Sequence, residues 1–287
     1  MTVSQLPVYF LSHTGPMQAF ENPASIKFLA ELGQKWSSFS NPTPSSILVL
    51  SGHWEGEQGV VRVRTSEKNE IHVDLEPVED IPEFQELPEY VLKLEYNSRG
   101  SPRLANRVLE VLAKAGIPSG EETKRGIDHG VWGPFVAILP TPTIPIVQMS
   151  LVDMRGQPAH EVFAFHIKLG QALAELRKEG VLIVGSGTAV HNLRDHAMML
   201  RAGGKVASYV APFDALLDKV ALTEHERHKV AIEAITQSEL LSKAHTSLDH
   251  ILPFYVAIGA AGGDKARILY KNRFGAMSET TYSFGEH

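Results

Sequence analysis

Thirteen histidines and no cysteine define the chemistry open to this chain. Without thiols there are no disulfides, no thiolate metal sites and no cysteine nucleophiles, which leaves imidazole as the main resource. Three of the histidines stand just past apolar, β-branched runs: His13 after "VYFLS", His53 after "ILVLSG" and His191 after "VLIVGSGTAV". A buried strand that stops at a polar residue before a turn delivers that side chain to the rim of a sheet, where ligands collect. His129 lies in the Gly-flanked "GIDHGVWGPF", and His245 and His250 lie in "KAHTSLDHILPF". Imidazole serves zinc, iron, copper and nickel, whereas calcium and magnesium prefer oxygen, so a histidine-built site points to a transition metal.

Other motifs point elsewhere less well. His72, His160, His166, His196, His225, His228 and His287 fall in strand, helix or tail patterns and are expected to be structural. "HERH" at 225–228 has a three-residue spacing, not the four-residue step of a zincin helix, and reads as a solvated face. "GSGTAV" lacks both the dinucleotide-binding glycine spacing and the Lys-Ser/Thr of a phosphate loop. Nor is it a nucleophile elbow, because glycines immediately flank Ser186. Those glycines are expected to turn the chain sharply between strand and helix and so fix His191.

The elements that must position these side chains follow from the periodicity. Buried strands are expected at Val8 to Leu11, Ile47 to Leu50, Ile144 to Met149, Val181 to Val184 and Lys205 to Val210. The clearest helix is "SPRLANRVLEVLAKAG", with Ser101 as cap, Pro102 in the first position and Gly116 as terminator. Further helices are expected at Ala24 to Trp36, at His160 to Glu179 ending on Gly180, and within 215–244. Val60 to Arg64 with Ile71 to Leu75, and Ile268 to Lys271 with Thr280 to Phe284, read as hairpins. The alternation implies an α/β, three-layer sandwich: a central mixed, largely parallel sheet with helices on both faces. Parallel neighbours would then carry His13, His53 and His191 to one edge.

Composition bounds the rest. The 287 residues, with no repeat or convincing linker, suggest a single domain over 1–287. A net charge of −6 without a basic block argues against a nucleic-acid partner. No apolar stretch suits a membrane span or a signal peptide, so a cytoplasmic protein, monomeric or a small homo-oligomer, is expected.

Taken together, "SHTGPM", "SGHWE", "DHGVWGPF", "PIVQMSL", "GSGTAVHNLR", "DHILPFYVAIGAAG" and "FGAMSETTYSFG" resemble, in order and over nearly the whole chain, the class III extradiol ring-cleavage dioxygenases, in particular the DOPA 4,5-dioxygenase branch. The resemblance implies a non-haem Fe(II) site that opens a catechol ring beside its two hydroxyls with both atoms of O2. Zinc competes for such a site in purified protein, because divalent affinities favour zinc over iron. Carried over by residue, it makes His13, His53 and His250 the metal ligands and His191 the acid/base. His129 looks like a second acid/base or a substrate-orienting residue. Glu55 or Asp249 is an alternative ligand, their preferred role being to orient ligand imidazoles, and His245 is a further candidate. The chain departs from the family at 73–90, where "VDLEPVEDIPEFQELPEY" replaces an aromatic segment, so catechol cleavage transfers better than DOPA specificity. Two alternatives stay open on the sequence alone. One is a zinc-dependent hydrolase on the same scaffold; the other is a non-enzymatic interaction protein with a vestigial metal pocket.

Overall fold

Alternation along the apolar runs sends successive side chains to opposite faces of a sheet, and here both faces are buried. Val8 and Phe10 enter one core with Leu48, Leu50 and Ile183, while Tyr9, Leu11, Ile47, Val49 and Val184 enter the other. The computed structural model describes residues 5–15, 18–40, 42–73, 88–224 and 226–286. Its central sheet has eight strands: β1 (Val8–Ser12), β2 (Ser46–Gln58), β3 (Val61–Arg64), β4 (Ser119–Glu122), β5 (Ile146–Asp153), β6 (Val181–Gly187), β7 (Ala266–Tyr270) and β8 (Thr281–Phe284). Their order is β7-β8-β1-β6-β2-β5-β3-β4. The block β1, β6, β2, β5 is parallel throughout, and β3 runs parallel to β4. The pairs β7/β8, β8/β1 and β5/β3 are antiparallel. The sheet is mixed, with helices on both faces, as the alternation of elements implied.

One core gathers helices Pro102–Lys114, Ala159–Leu173, Val210–Ala221 and Leu252–Ala261; the other gathers Pro23–Ser38 and His129–Ile138. Ser101 caps the first of these as expected, accepting the Leu104 N–H at 3.2 Å. Helix Leu252–Ala261 is buried on all sides and crosses Ala159–Leu173 with no room for side chains at the contact. A Cβ on Gly259 would stand 2.2 Å from the Ile167 carbonyl oxygen. That close crossing fixes where the chain just before the helix, including His250, can lie.

Two expectations need correction. Residues 205–209 form no strand; they lead into the helix Val210–Ala221, and Val206 faces solvent, which a buried strand would not allow. Val61 and Val63 are fully buried because β3 lies between β4 and β5, with no hairpin to residues 71–73; Asp74 and Leu75 of the expected partner strand lie outside the described residues. The polar segment after β3 supplies Lys68–Asn69, which pairs with Ser98–Arg99, and Ile71 bridges Ile127. The 215–244 pattern resolves into parts of three helices, Val210–Ala221, Arg227–Thr236 and Leu241–Ala244. The C-terminal hairpin is present as β7/β8, and the segment between its strands makes a second hairpin, Arg273–Phe274 with Met277–Ser278. His225, His287 and most of the acidic 73–90 segment lie outside the described residues.

Candidate metal centre

Because β1, β6 and β2 are parallel neighbours, Ser12 and Gly187 end at one edge of the sheet, level with Ser51 of β2. His13 follows β1 and is pinned there: its N–H donates to the Gly187 carbonyl at 2.7 Å, and the Thr188 hydroxyl donates to its carbonyl. His53 sits farther along β2, where the ladder with β5 shifts register between Leu50 and Glu55. His250 arrives from the opposite core, and its carbonyl accepts the Thr188 N–H at 3.0 Å. Three distant segments thus place three imidazoles together. His53 Nε2 is 3.1 Å from His13 Nε2 and 3.1 Å from His250 Nε2.

The partners of the far ring nitrogens decide where the protons are. Ser186 has one hydroxyl proton, and the Gly130 carbonyl can only accept it, so Ser186 Oγ must accept from His13 Nδ1–H, at 2.9 Å. Asp249 Oδ2 lies 2.8 Å from His250 Nδ1. Burial pushes the Asp249 carboxyl up, but His250, His191 and the Ser247 hydroxyl outweigh it and hold the group ionised, well below the usual carboxylate range. A carboxylate only accepts, so His250 also carries its proton on Nδ1. His13, kept neutral by its surroundings, therefore turns an Nε2 lone pair toward His53 Nε2, and the Nε2 of His250 faces the same atom from the other side. Ring nitrogens this close suit a shared cation, since two imidazole nitrogens each about 2.1 Å from one ion stand roughly 3 to 3.4 Å apart. Burial, and then repulsion by the neighbouring imidazoles, holds His13 and His53 neutral, well below the ordinary value, which is the ligand form.

His129 and His191 border the same space. His129 opens the helix His129–Ile138, capped by Asp128, and its ring centroid is 3.7 Å from that of His53. The ligating nitrogens of His13, His53 and His129 all lie within 4.8 Å of one another, so His129 stands close enough to share an ion with the first two. What sets His250 apart is its carboxylate-backed Nδ1, the arrangement by which metal-binding imidazoles are oriented. His191 stacks on His250, with centroids 3.7 Å apart and planes 4° from parallel. Burial foremost, then His250, keeps it neutral too. Its two-residue strand, Val190–His191, pairs with Met277–Ser278, and Asn192 caps the helix that follows.

The remaining candidates are supports. His245 is buried, donates Nε2–H to the Ala189 carbonyl at 3.1 Å, and has no partner at Nδ1 among the described residues. It anchors the strand leading to His191. Glu55 faces solvent and is pushed up to about 6 by partial burial and the nearby Asp249 and Asp153. Asp249 holds His250. His72, His166, His196 and His228 are occupied by hydrogen bonds of their own, and His160 is exposed.

Residues that sequence reasoning passed over complete the arrangement. Asp128 accepts from Ser51 Oγ at 2.7 Å, from the Gly130 N–H at 3.1 Å and from Gln148 Nε2. Its own N–H donates to Gln148 Oε1 at 3.2 Å. Ser51 Oγ in turn accepts the His53 N–H at 3.1 Å, and Arg125 Nη2 donates to the His53 carbonyl at 3.0 Å. The signals were there: an Asp just before His129-Gly130 is a helix cap, and Gln148 is a polar residue inside an apolar run. The glycines of "GSG" serve a different end from the sharp turn expected of them. Both lie within β6 and allow close approach, since a Cβ on Gly185 or Gly187 would be 2.2 Å from the carbonyl oxygen of Pro253 or His250.

Residues 4–285 match the family described as the catalytic LigB subunit of aromatic ring-opening dioxygenase. The 4,5-DOPA dioxygenase extradiol of Beta vulgaris is 36% identical over 280 residues, covering 96% of this chain and 95% of that protein. The protein of the same name from Portulaca grandiflora is 35% identical over 280 residues, with 96% and 94% covered. The crystal structure of an uncharacterised protein from Escherichia coli K12 superposes with a TM-score of 0.76 at 27% identity, over 98% of this chain and all of that one. No helix among the described residues is long and apolar enough to cross a membrane. Dioxygenases of the matched family are non-haem and metal-dependent, in keeping with a histidine cluster that can hold an ion. The chain belongs to the LigB family and is an extradiol ring-opening dioxygenase.

Proposed function

We propose that the protein opens the ring of a catechol, a 3,4-dihydroxyphenyl compound of the DOPA kind, beside its two hydroxyls and with O2, at an ion held by His13, His53 and His250. The observation that carries this reading is that the Nε2 atoms of His13 and His250 each stand 3.1 Å from His53 Nε2. Three imidazoles suit a divalent transition ion, with Fe(II) for activity and Zn(II) as its competitor in purified protein. When bound, the ion supplies the positive charge that favours a deprotonated diol and the redox capacity to use O2. Because none of the three ligands brings a negative charge, the pocket favours a dianionic catecholate over a neutral ring.

The chain's own groups handle binding and protons. His191, kept neutral by burial and held flat against His250, takes a proton from a catechol hydroxyl and later returns one to the opened product. His129, at the first turn of its helix, orients the substrate or moves a second proton. The name of the plant relatives supports a DOPA-like substrate. The site draws side chains from residue 13 to residue 250, which supports one catalytic domain over 1–287.

Oxygen uptake tests the proposal. Protein loaded with one Fe(II) per chain without oxygen, then given air and a panel of ring-substituted catechols, is expected to consume one O2 per catechol and form a coloured ring-opened product. Loaded protein that consumes no oxygen with any catechol, or zinc protein that turns over without O2, contradicts it.

A further inference from the structure

Ser186 is fully buried near the end of β6, between two glycines whose face of the strand is closed by the chain carrying His250 and Pro253. Strand alternation therefore turns the serine side chain the other way, toward His13 and the helix that begins at His129. The register brings it there: Leu11 pairs with Ser186 and Ser12 with Gly187, so the first residue after β1 lies alongside. Its hydroxyl makes two hydrogen bonds, accepting from His13 Nδ1–H at 2.9 Å and donating to the Gly130 carbonyl.

The direction of the second bond is explained by the helix itself. The carbonyl of Gly130 would ordinarily accept the N–H four residues on, but that residue is Pro134, which has none. Ser186 supplies the missing donor. Its proton is thereby committed, and only its lone pairs remain for His13. The Gly130 turn also presses on the same ring, since a Cβ there would lie 2.9 Å from His13 Cε1.

We propose that Ser186 is a positioning residue of the metal centre: it holds His13 in the Nδ1–H tautomer, so that the Nε2 lone pair is offered to the ion, and it ties that ring to the turn bearing His129. This rests on the reading of His13 as a ligand. Ser186 touches neither substrate nor ion. Its effect is exerted through the orientation and protonation of another side chain.

Two measurements test it, and neither needs the substrate. In metal-free wild-type protein carrying 15N-labelled histidine, His13 is expected as the Nδ1–H tautomer by NMR; protonation on Nε2 overturns the proposal. In Ser186→Ala that tautomer preference is expected to be lost, and Zn(II) affinity, measured by competition with a chromophoric chelator, to fall about tenfold or more. Ser186→Cys, of nearly the same shape but with a weaker acceptor, is expected to bind between the two. Wild-type affinity in Ser186→Ala overturns the proposal while leaving the metal reading intact. A wild-type chain that binds no zinc is the distinct failure of the metal reading, and it overturns this proposal with it. Should Ser186→Ala not fold, the wild-type tautomer decides alone.

Discussion

A neutral imidazole has one proton and one lone pair, and which nitrogen carries which is set by the partner of the far side of the ring. At His13 that partner is a serine whose own proton is spent on a carbonyl, and at His250 it is an ionised aspartate. Asp249→Asn keeps the shape but offers His250 either an amide N–H or a carbonyl, so Zn(II) affinity should fall about tenfold to a hundredfold. Unchanged affinity in a chelator competition contradicts this role. His191 differs from these two rings in meeting the site by its ring face against His250. His191→Ala should therefore still bind one ion per chain while kcat for ring opening drops by at least about a hundredfold. Metal loss together with activity would make His191 a ligand instead, and an unchanged rate would remove it from the proton path. Histidine identity was legible in the sequence for all five proposed site histidines, and a place just past a strand for His13, His53 and His191. Asp249 beside His250 was legible too, but the hydroxyl partner was not, because Ser186 meets His13 only through the register of β1 on β6, with 173 positions between the two residues.

At the scale of elements, the site depends on strand ends and helix starts meeting closely. A Cβ on Gly187 would stand 2.2 Å from the His250 carbonyl oxygen, so Gly187→Ala should cost roughly 1–3 kcal/mol of stability and displace His250. Gly133→Ala, in a helix and with nothing within 4 Å of the new Cβ, should be neutral or stabilising by up to about 1 kcal/mol. Urea denaturation of the metal-free variants checks both, and equal effects would contradict the close-approach account. His166 shows the other use of imidazole. Its Nδ1–H donates to the Val162 carbonyl at 2.8 Å, and burial pushes it down to about 4. A folded value below the unfolded 6.5 means that the unfolded chain binds the extra proton first, so stability is full above about pH 6.5 and is lost as pH falls toward 4. Between pH 7 and pH 5 the loss should be about 2 kcal/mol, and His166→Phe should lack it; parallel pH profiles of the two metal-free proteins would contradict this. The alternation of strands and helices was readable from apolar periodicity. The partner of β3 was not, since two buried valines in a short run announce a strand but not its neighbours. At 205–210 a β-branched pair suggested a strand where an exposed valine merely leads into a helix.

Over the whole molecule, the parallel block β1, β6, β2, β5 explains why residues near 13, 53 and 187 share one edge, and the buried helix Leu252–Ala261 explains how His250 joins them from the far core. An ion bound only by the folded chain stabilises all of it: at a free concentration one hundred times the Kd, unfolding should become about 2.7 kcal/mol harder. Thermal melts with and without Zn(II) should show the increase for wild type and not for His53→Ala, whose removal takes away the imidazole that the other two face. An equal shift in both would place the binding elsewhere. The central claim is that His13, His53 and His250 hold one divalent ion. Anomalous diffraction at the iron edge, from crystals of protein loaded with Fe(II) without oxygen, tests it most directly. One peak per chain is expected, bonded to the Nε2 atoms of those three rings. A peak held without His250, or one lying away from this cluster, would contradict it.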